Sequence, residues 1–232
     1  MRILGLVPAR GGSKRLPRKN VKPLGGMPLI AWTIRSAIES QCCTDVMVST
    51  DDCEIASVSR QYGAKVPWLR PIELASDNSS SVDVALHALD FYENAYGELD
   101  GIILLQPTSP FRKAESIKRA IKLFADFSCR RPVVSMKPAL NHPEWCFEIN
   151  DNSIEPYLGW DKIYQRSQDL PNAWSLDGGM YIIPPNRLRQ EGEFLLRDTI
   201  PFCIEDKAES IDIDTVEDFD HCASFLTERF VA

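Results

Sequence analysis

The sequence predicts an α/β fold: a mainly parallel sheet with helices on both of its faces. Three observations carry this. The first seventy residues alternate short apolar runs with helix-periodic segments, in the order strand, helix, strand, helix, strand. Residues 101–105, GIILL, are apolar without a break, as a strand covered on both faces requires. The most cationic loop of the chain directly follows the first apolar run, and open α/β sheets bind ligands beyond the carboxyl ends of their strands.

Each element has its own signal. Ile3, Leu4, Leu6 and Val7 form the first buried strand, which ends at Pro8. Apolar residues at 29, 30, 34, 37 and 38 recur at helical spacing, so residues 28–40 are a helix with Pro28 in its first turn. A second strand covers 45–50, a helix covers 54–62 with Gly63 as its stop, and a short strand covers 65–69. The polar loop 76–81 leads into a helix over 82–96, capped by Ser81 or a neighbour. After the central strand at 101–105, a rigid loop with two prolines, 106–112, carries Gln106 and Arg112. A helix over 114–127 and a strand over 132–136 follow.

Residues 138–176 break the pattern. They hold His142, Trp145, Tyr157, Trp160, Tyr164 and Trp174 among several prolines. This reads as an inserted arm that closes a site, meets a second subunit, or both. A strand resumes over 178–183 and stops at Pro184-Pro185. In residues 209–215, strand alternation places Asp212 and Asp214 on one face, with Ile211 and Ile213 on the other. A last helix runs over 215–226, with Thr215 as N-cap and Asp218 at its third helical position.

Length and composition narrow the function classes. The 232 residues, 44% apolar and 25% charged, suffice for a full core in a single domain over 1–232 that carries the arm as an insertion. No apolar run is long enough to span a membrane, and the N-terminal run does not read as a signal peptide. Seven irregularly spaced cysteines without a CxxC pair read as reduced thiols of a cytoplasmic protein. The net charge of −7 is unevenly spread. Eight cations and no acid precede Glu39, whereas the remainder carries 33 acids against 18 bases. A cationic pocket in an acidic chain points to a discrete anionic ligand and away from nucleic acid.

That pocket begins in PARGGSKRLPRKN, residues 8–20. Gly11-Gly12 let backbone N–H groups approach an anion, and Arg10, Lys14, Arg15, Arg18, Lys19 and Lys22 surround them. The order is neither G-x-x-x-x-G-K-S/T nor G-x-G-x-x-G. Asp212 and Asp214 complement it. Two neighbouring carboxylates repel unless a cation joins them, and hard oxygen ligands facing a polyphosphate are what Mg²⁺ uses.

With these residues in view, the chain resembles the acylneuraminate cytidylyltransferases, the bacterial-type CMP-sialic acid synthetases. PARGGSKRLPRKN, LRP with SDNSSS (69–81), LLQPTSPFR (104–112) and SIDIDT (210–215) carry the match, with QRSQDLP (165–171) in the arm. The motifs keep the family's order over nearly the whole chain. The resemblance implies a Rossmann-like, GT-A-like nucleotidyltransferase fold of three layers with a dimerisation arm. The implied reaction joins CTP to a nine-carbon 2-keto sugar acid, a nonulosonic acid, with release of pyrophosphate. Arg10, Lys14 and Lys19 would hold the triphosphate, Asn20 would help seat the nucleotide, and Arg70 with Ser79–Ser81 would read cytosine. Gln106, Tyr181 and Arg166 would line the sugar side. Asp212 and Asp214 would bind Mg²⁺ or Mn²⁺, and Arg10, Lys19 and Asp212 would be the catalytic set. Proton removal falls to a metal-acidified hydroxyl or to one of the aspartates. The resemblance also implies a homodimer, with Arg166 a candidate for lending to the partner's site.

One stretch departs from the family. Acylneuraminate enzymes read aromatic-Arg-Pro-Asn-Gly where this chain has Trp174-Ser175-Leu176-Asp177-Gly178. A missing base and an extra acid near an anionic sugar imply a different nonulosonate, of legionaminic or pseudaminic type. Two other readings stand beside this one. The first is another NTP:sugar nucleotidyltransferase, such as the synthetase for the eight-carbon sugar Kdo, whose motifs read differently. The second is a non-catalytic nucleotide-binding protein.

Overall fold

A computed structural model describes residues 1–76 and 79–231, with side chains as far as Leu226. Asp77 and Asn78, in the middle of the SDNSSS motif, lie outside the described residues. The strands are β1 (Ile3–Pro8), β2 (Pro23–Leu24), β3 (Met27–Pro28), β4 (Asp45–Ser49), β5 (Gly101–Leu105), β6 (Val133–Pro138), β7 (Phe147–Asn150), β8 (Ser153–Pro156), β9 (Trp174–Ile183) and β10 (Ile200–Cys203). The helices are α1 (Leu29–Glu39), α2 (Cys53–Gln61), α3 (Ser81–Tyr96), α4 (Ala114–Asp126), α5 (Pro185–Glu191) and α6 (Val216–Val231).

The main sheet has the order β10-β6-β9-β5-β1-β4. β4, β1 and β5 are mutually parallel, as are β10 and β6, while β9 runs antiparallel between β5 and β6. Alternation along the apolar strands builds two cores. Ile3, Val7, Ile103 and Leu105 face α1, α2 and α4 through Ile34, Ile55 and Phe124. Leu4, Leu6, Ile102 and Leu104 face α3 and α5 through Leu89, Tyr92 and Leu188. Both faces of β1 and β5 are therefore dry, which is why their sequences show no polar alternation. Helix α6 lies on a third cluster with Leu16, Leu24 and Ile213.

The helix ends follow side-chain chemistry. Asp52 caps α2 by accepting from the Glu54 and Ile55 N–H groups, both at 2.9 Å. Ser80, the neighbour of Ser81, caps α3 in a capping box with Asp83. Thr215 and Asp218 exchange hydrogen bonds ahead of α6 as expected. Pro28 ends β3 and precedes the first turn of α1.

Two expected strands do not form. In residues 65–69 only Lys65 bridges Met47, because Pro67 has no N–H with which to continue the ladder. Residues 210–215 form a loop held by the Ile213 N–H to the Thr108 carbonyl at 2.8 Å. Ile211 and Ile213 still pack together in the third cluster, so the polar and apolar sides separate without a ladder. The arm contains one hairpin, β7 to β8, turning through Asp151-Asn152 with Asp151 at φ 52°.

Candidate active site

Pro8, Ser49 and Leu105 are the carboxyl ends of three neighbouring parallel strands. The loops that leave them enclose two adjoining cavities that share Pro8, Arg10 and Gln106. This is the position where an open α/β sheet presents a ligand site.

The larger of the two cavities, about 360 Å³, is cationic, lined by Arg10, Lys14, Arg15 and Lys19 together with Asp214. The loop after β1 is fixed from several sides. Buried Asn20 donates to the Arg10 carbonyl at 3.0 Å, and the Gly11 N–H donates to Asp51 Oδ1 at 2.9 Å. A Cβ on Gly11 would come within 2.9 Å of the Asp52 side chain, so only glycine fits. Arg18, left-handed at φ 58°, pairs with Asp52 at 2.5 Å and with Glu54. It therefore clamps the loop to α2, while Arg15 and Lys19 line the cavity.

Lys19 Nζ donates to Asp214 Oδ1 at 3.2 Å and to the Ile213 carbonyl at 2.9 Å. Arg15 holds the other Asp214 oxygen at 3.1 Å. Asp212 stands beside this group. Its pKa is raised, first by burial, and Asp214 adds to the rise while Thr108, Lys19 and Lys137 oppose it. Its Oδ1 is buried without a hydrogen-bond partner. An orphaned carboxylate oxygen next to a second carboxylate is the donor chemistry a hard divalent cation takes. Among the described residues no three His, Cys, Asp or Glu side chains are arranged to hold a metal ion by themselves, so phosphate oxygens would have to complete such a site.

The smaller cavity, about 240 Å³, is lined by Arg70, Ser76 and residues 79–81. Buried Arg70 spends three of its N–H groups on structure. Nε donates to Ser49 Oγ at 3.0 Å, Nη2 to the Ser49 carbonyl, and Nη1 to the Leu74 carbonyl at 3.3 Å. Burial lowers its pKa to about 10. Ser79 Oγ donates to the Glu73 carbonyl at 2.8 Å, which ties the polar loop to the segment after Arg70.

Tyr181 is half-buried on β9, with its ring 5.8 Å from Phe194. Burial raises its pKa, and Asp177 and Asp212 add to the rise. Arg166 is exposed on the arm and lines neither cavity. Asp177 does not face a sugar pocket as an open acid. It is buried, accepts from the Gly179 N–H at 2.8 Å and from Ser135 Oγ, and lines neither cavity. Sequence reasoning passed over Arg15 as one cation among six, and it passed over Thr108 inside the LLQPTSPFR motif. Their pairing with the SIDIDT segment is long-range and leaves no local signal.

Comparison with known proteins agrees with this architecture. The family model described as cytidylyltransferase matches residues 4–228. The chain is 41% identical to a CMP-N,N'-diacetyllegionaminic acid synthase of Legionella pneumophila, over 100% of this chain and 97% of that protein. It is 31% identical to a pseudaminic acid cytidylyltransferase of Campylobacter jejuni, over 95% of this chain and 94% of the other. Among solved structures, a CMP:2-keto-3-deoxy-manno-octonic acid synthetase complexed with CTP superposes with a TM-score of 0.73 at 16% identity, covering 99% of this chain and 100% of its own, a likeness of fold. By sequence, and with the fold in agreement, the chain belongs to the cytidylyltransferase family of nucleotidyltransferases.

Proposed function

We propose that this chain transfers the cytidylyl group of CTP to a nine-carbon 2-keto sugar acid, releasing pyrophosphate. The observation that carries this reading is the meeting of Lys19 and Arg15 with Asp214 in one cavity beside a second, serine-lined one. A triphosphate and a base need two adjoining compartments of this kind.

In this reading Arg10, Lys14 and Lys19 hold the phosphates, and Asn20 keeps the loop in shape by holding the Arg10 carbonyl. Arg70 fixes the serine loop and shares the cytosine compartment with Ser79 and Ser81. Gln106, common to both compartments, meets the sugar acid. Tyr181 lines neither compartment and packs against Phe194, so its part in the sugar side rests on the family resemblance alone. The anomeric hydroxyl oxygen of the acid forms a bond to the α-phosphorus as the bond to the bridging oxygen breaks. Pyrophosphate departs and the hydroxyl proton is lost. The protein's part is alignment and charge neutralisation by Arg10 and Lys19. Asp212 and Asp214 would hold Mg²⁺ or Mn²⁺, which when bound neutralises phosphate charge and acidifies a coordinated hydroxyl.

The sugar is proposed to be of legionaminic type. The 41% identity to the legionaminic enzyme supports it. The arm is proposed to meet a second copy of the chain and to carry Arg166 to the partner's site. Pyrophosphate release should be assayed with Mg²⁺ across four NTPs and a panel of nonulosonic acids. CTP with a legionaminic acid should give the highest kcat/KM. Preference for N-acetylneuraminate would overturn the sugar assignment, and absence of turnover with every keto acid would overturn the enzyme.

A further inference from the structure

Gln106 lines both cavities, and its backbone is held by residues that line neither. Its N–H donates to the Gly179 carbonyl at 3.3 Å, and its carbonyl accepts from Arg112 Nη2 at 2.8 Å. The same Arg112 nitrogen donates to the Gly179 carbonyl at 2.8 Å. The Gly179 N–H donates to Asp177 Oδ1 at 2.8 Å, and Met180 N–H donates to Ser135 Oγ, also at 2.8 Å. Ser135 and Asp177 share a hydrogen bond of their own.

An irregularity in strand pairing creates this network. β9 meets β6 through Tyr181 opposite Val134 and Leu176 opposite Met136, so residues 177–180 face the single residue Ser135. Gly178 allows the extra loop, at φ 78°, a backbone conformation other residues seldom adopt. The bulge buries the Asp177 carboxylate, whose charge acts on the Arg112 guanidinium, itself 4% exposed, without a direct ion pair between them. Arg112 Nε and Nη1 have no hydrogen-bond partner, and Asp177 leads Glu209 and Asp212 in supplying the negative potential around them. Burying an incompletely paired cation is costly, and a methylene chain in its place would fill the same core. What the cation alone does is bridge two carbonyls, one of them that of Gln106.

We propose that Arg112 and Asp177 are positioning residues that fix Gln106 for the sugar acid. This rests on the reading that Gln106 meets that substrate. A lysine at 112 cannot reproduce the planar donor geometry. An amide at 177 still accepts from Gly179 but removes the charge that faces Arg112.

The test is steady-state kinetics of the full chain, with CTP and sugar acid varied independently, using N,N'-diacetyllegionaminic and N-acetylneuraminic acids as probes. Arg112→Lys and Asp177→Asn should raise the sugar-acid KM by roughly 10- to 100-fold and leave the CTP KM within about twofold. The double variant should be no worse than the worse single one. A parallel rise of both KM values together with a fall in Tm marks a merely structural role and overturns the proposal, as does an unchanged sugar-acid KM. Should Arg112→Lys fail to fold, the nearly isosteric Asp177→Asn decides. Gln106→Ala separates the two levels. If it leaves the sugar-acid KM unchanged, the assignment of Gln106 fails, and the proposal with it. If it raises that KM while the other two variants do not, only the positioning proposal fails.

Discussion

Lys19 and Asp214, 195 positions apart in the chain, share a hydrogen-bonded ion pair of 3.2 Å. Arg15 completes it from the other side of the same carboxylate. One acid thus balances two cations at the mouth of the cavity. Lys19 is only 12% exposed and also anchored on a carbonyl, whereas Arg15 is 69% exposed and its contribution is screened by water.

This geometry predicts opposite effects on binding and turnover. Replacing Asp214 with alanine frees Lys19 and Arg15 for phosphate oxygens. CTP affinity measured in EDTA should stay equal or tighten, while pyrophosphate release in Mg²⁺ should drop by about 100-fold or more. Lys19→Ala should instead weaken CTP binding under both conditions. Loss of metal-free CTP binding in Asp214→Ala would show that the carboxylate shapes the pocket and does not balance its charge.

The attachment of the basic loop to α2 predicts an acid sensitivity. Burial alone would raise the Asp52 pKa, but the Ile55 N–H, the Arg18 guanidinium and the Glu54 N–H outweigh it and hold the carboxyl below its ordinary 3.8. A depressed folded-state pKa means stabilisation that is present above 3.8 and lost as pH falls through the folded value. Arg18 is half exposed, so the term is at most about 1 kcal/mol. Asp52→Asn keeps the N-cap acceptor but loses the charge. Urea unfolding followed from about pH 6 to about pH 2.5 should show a shallower acid loss for the variant than for the wild type. Identical slopes would remove Asp52 from the account.

What the chain revealed in advance follows from the range of each interaction. β1 and β5 were legible because strands covered on both faces need unbroken apolar runs. The cation loop and Asp214 were legible because charge of one sign clusters in sequence. β10 was hidden by Pro201, tolerated because that strand is the sheet edge. The place of Asp177 was misread for a different reason. Its burial depends on the offset between β6 and β9, set by pairing across the sheet, and no local pattern encodes it. Arg112 looked like a flanking cation of a polar loop, yet it lies inside because two carbonyls from separate segments receive it.

The arm carries the last prediction. Ile149 and Ile154 face each other across the hairpin, 75% and 52% exposed, and Leu140 and Tyr164 are 94% and 86% exposed. Exposed apolar side chains concentrated on one segment are what the proposed contact with a second copy would cover. None of these residues belongs to the cores beneath the sheet, so charging them should leave the fold intact. Light scattering at micromolar concentration should give a dimer for the wild type and a monomer for Ile149→Lys/Ile154→Lys, with Tm little changed. If Arg166 acts on the partner's site, that monomer should keep its CTP affinity and lose sugar-acid affinity, and Arg166→Ala in the dimer should reproduce the second effect alone. A wild type that is monomeric and fully active would eliminate both the interface and the shared arginine.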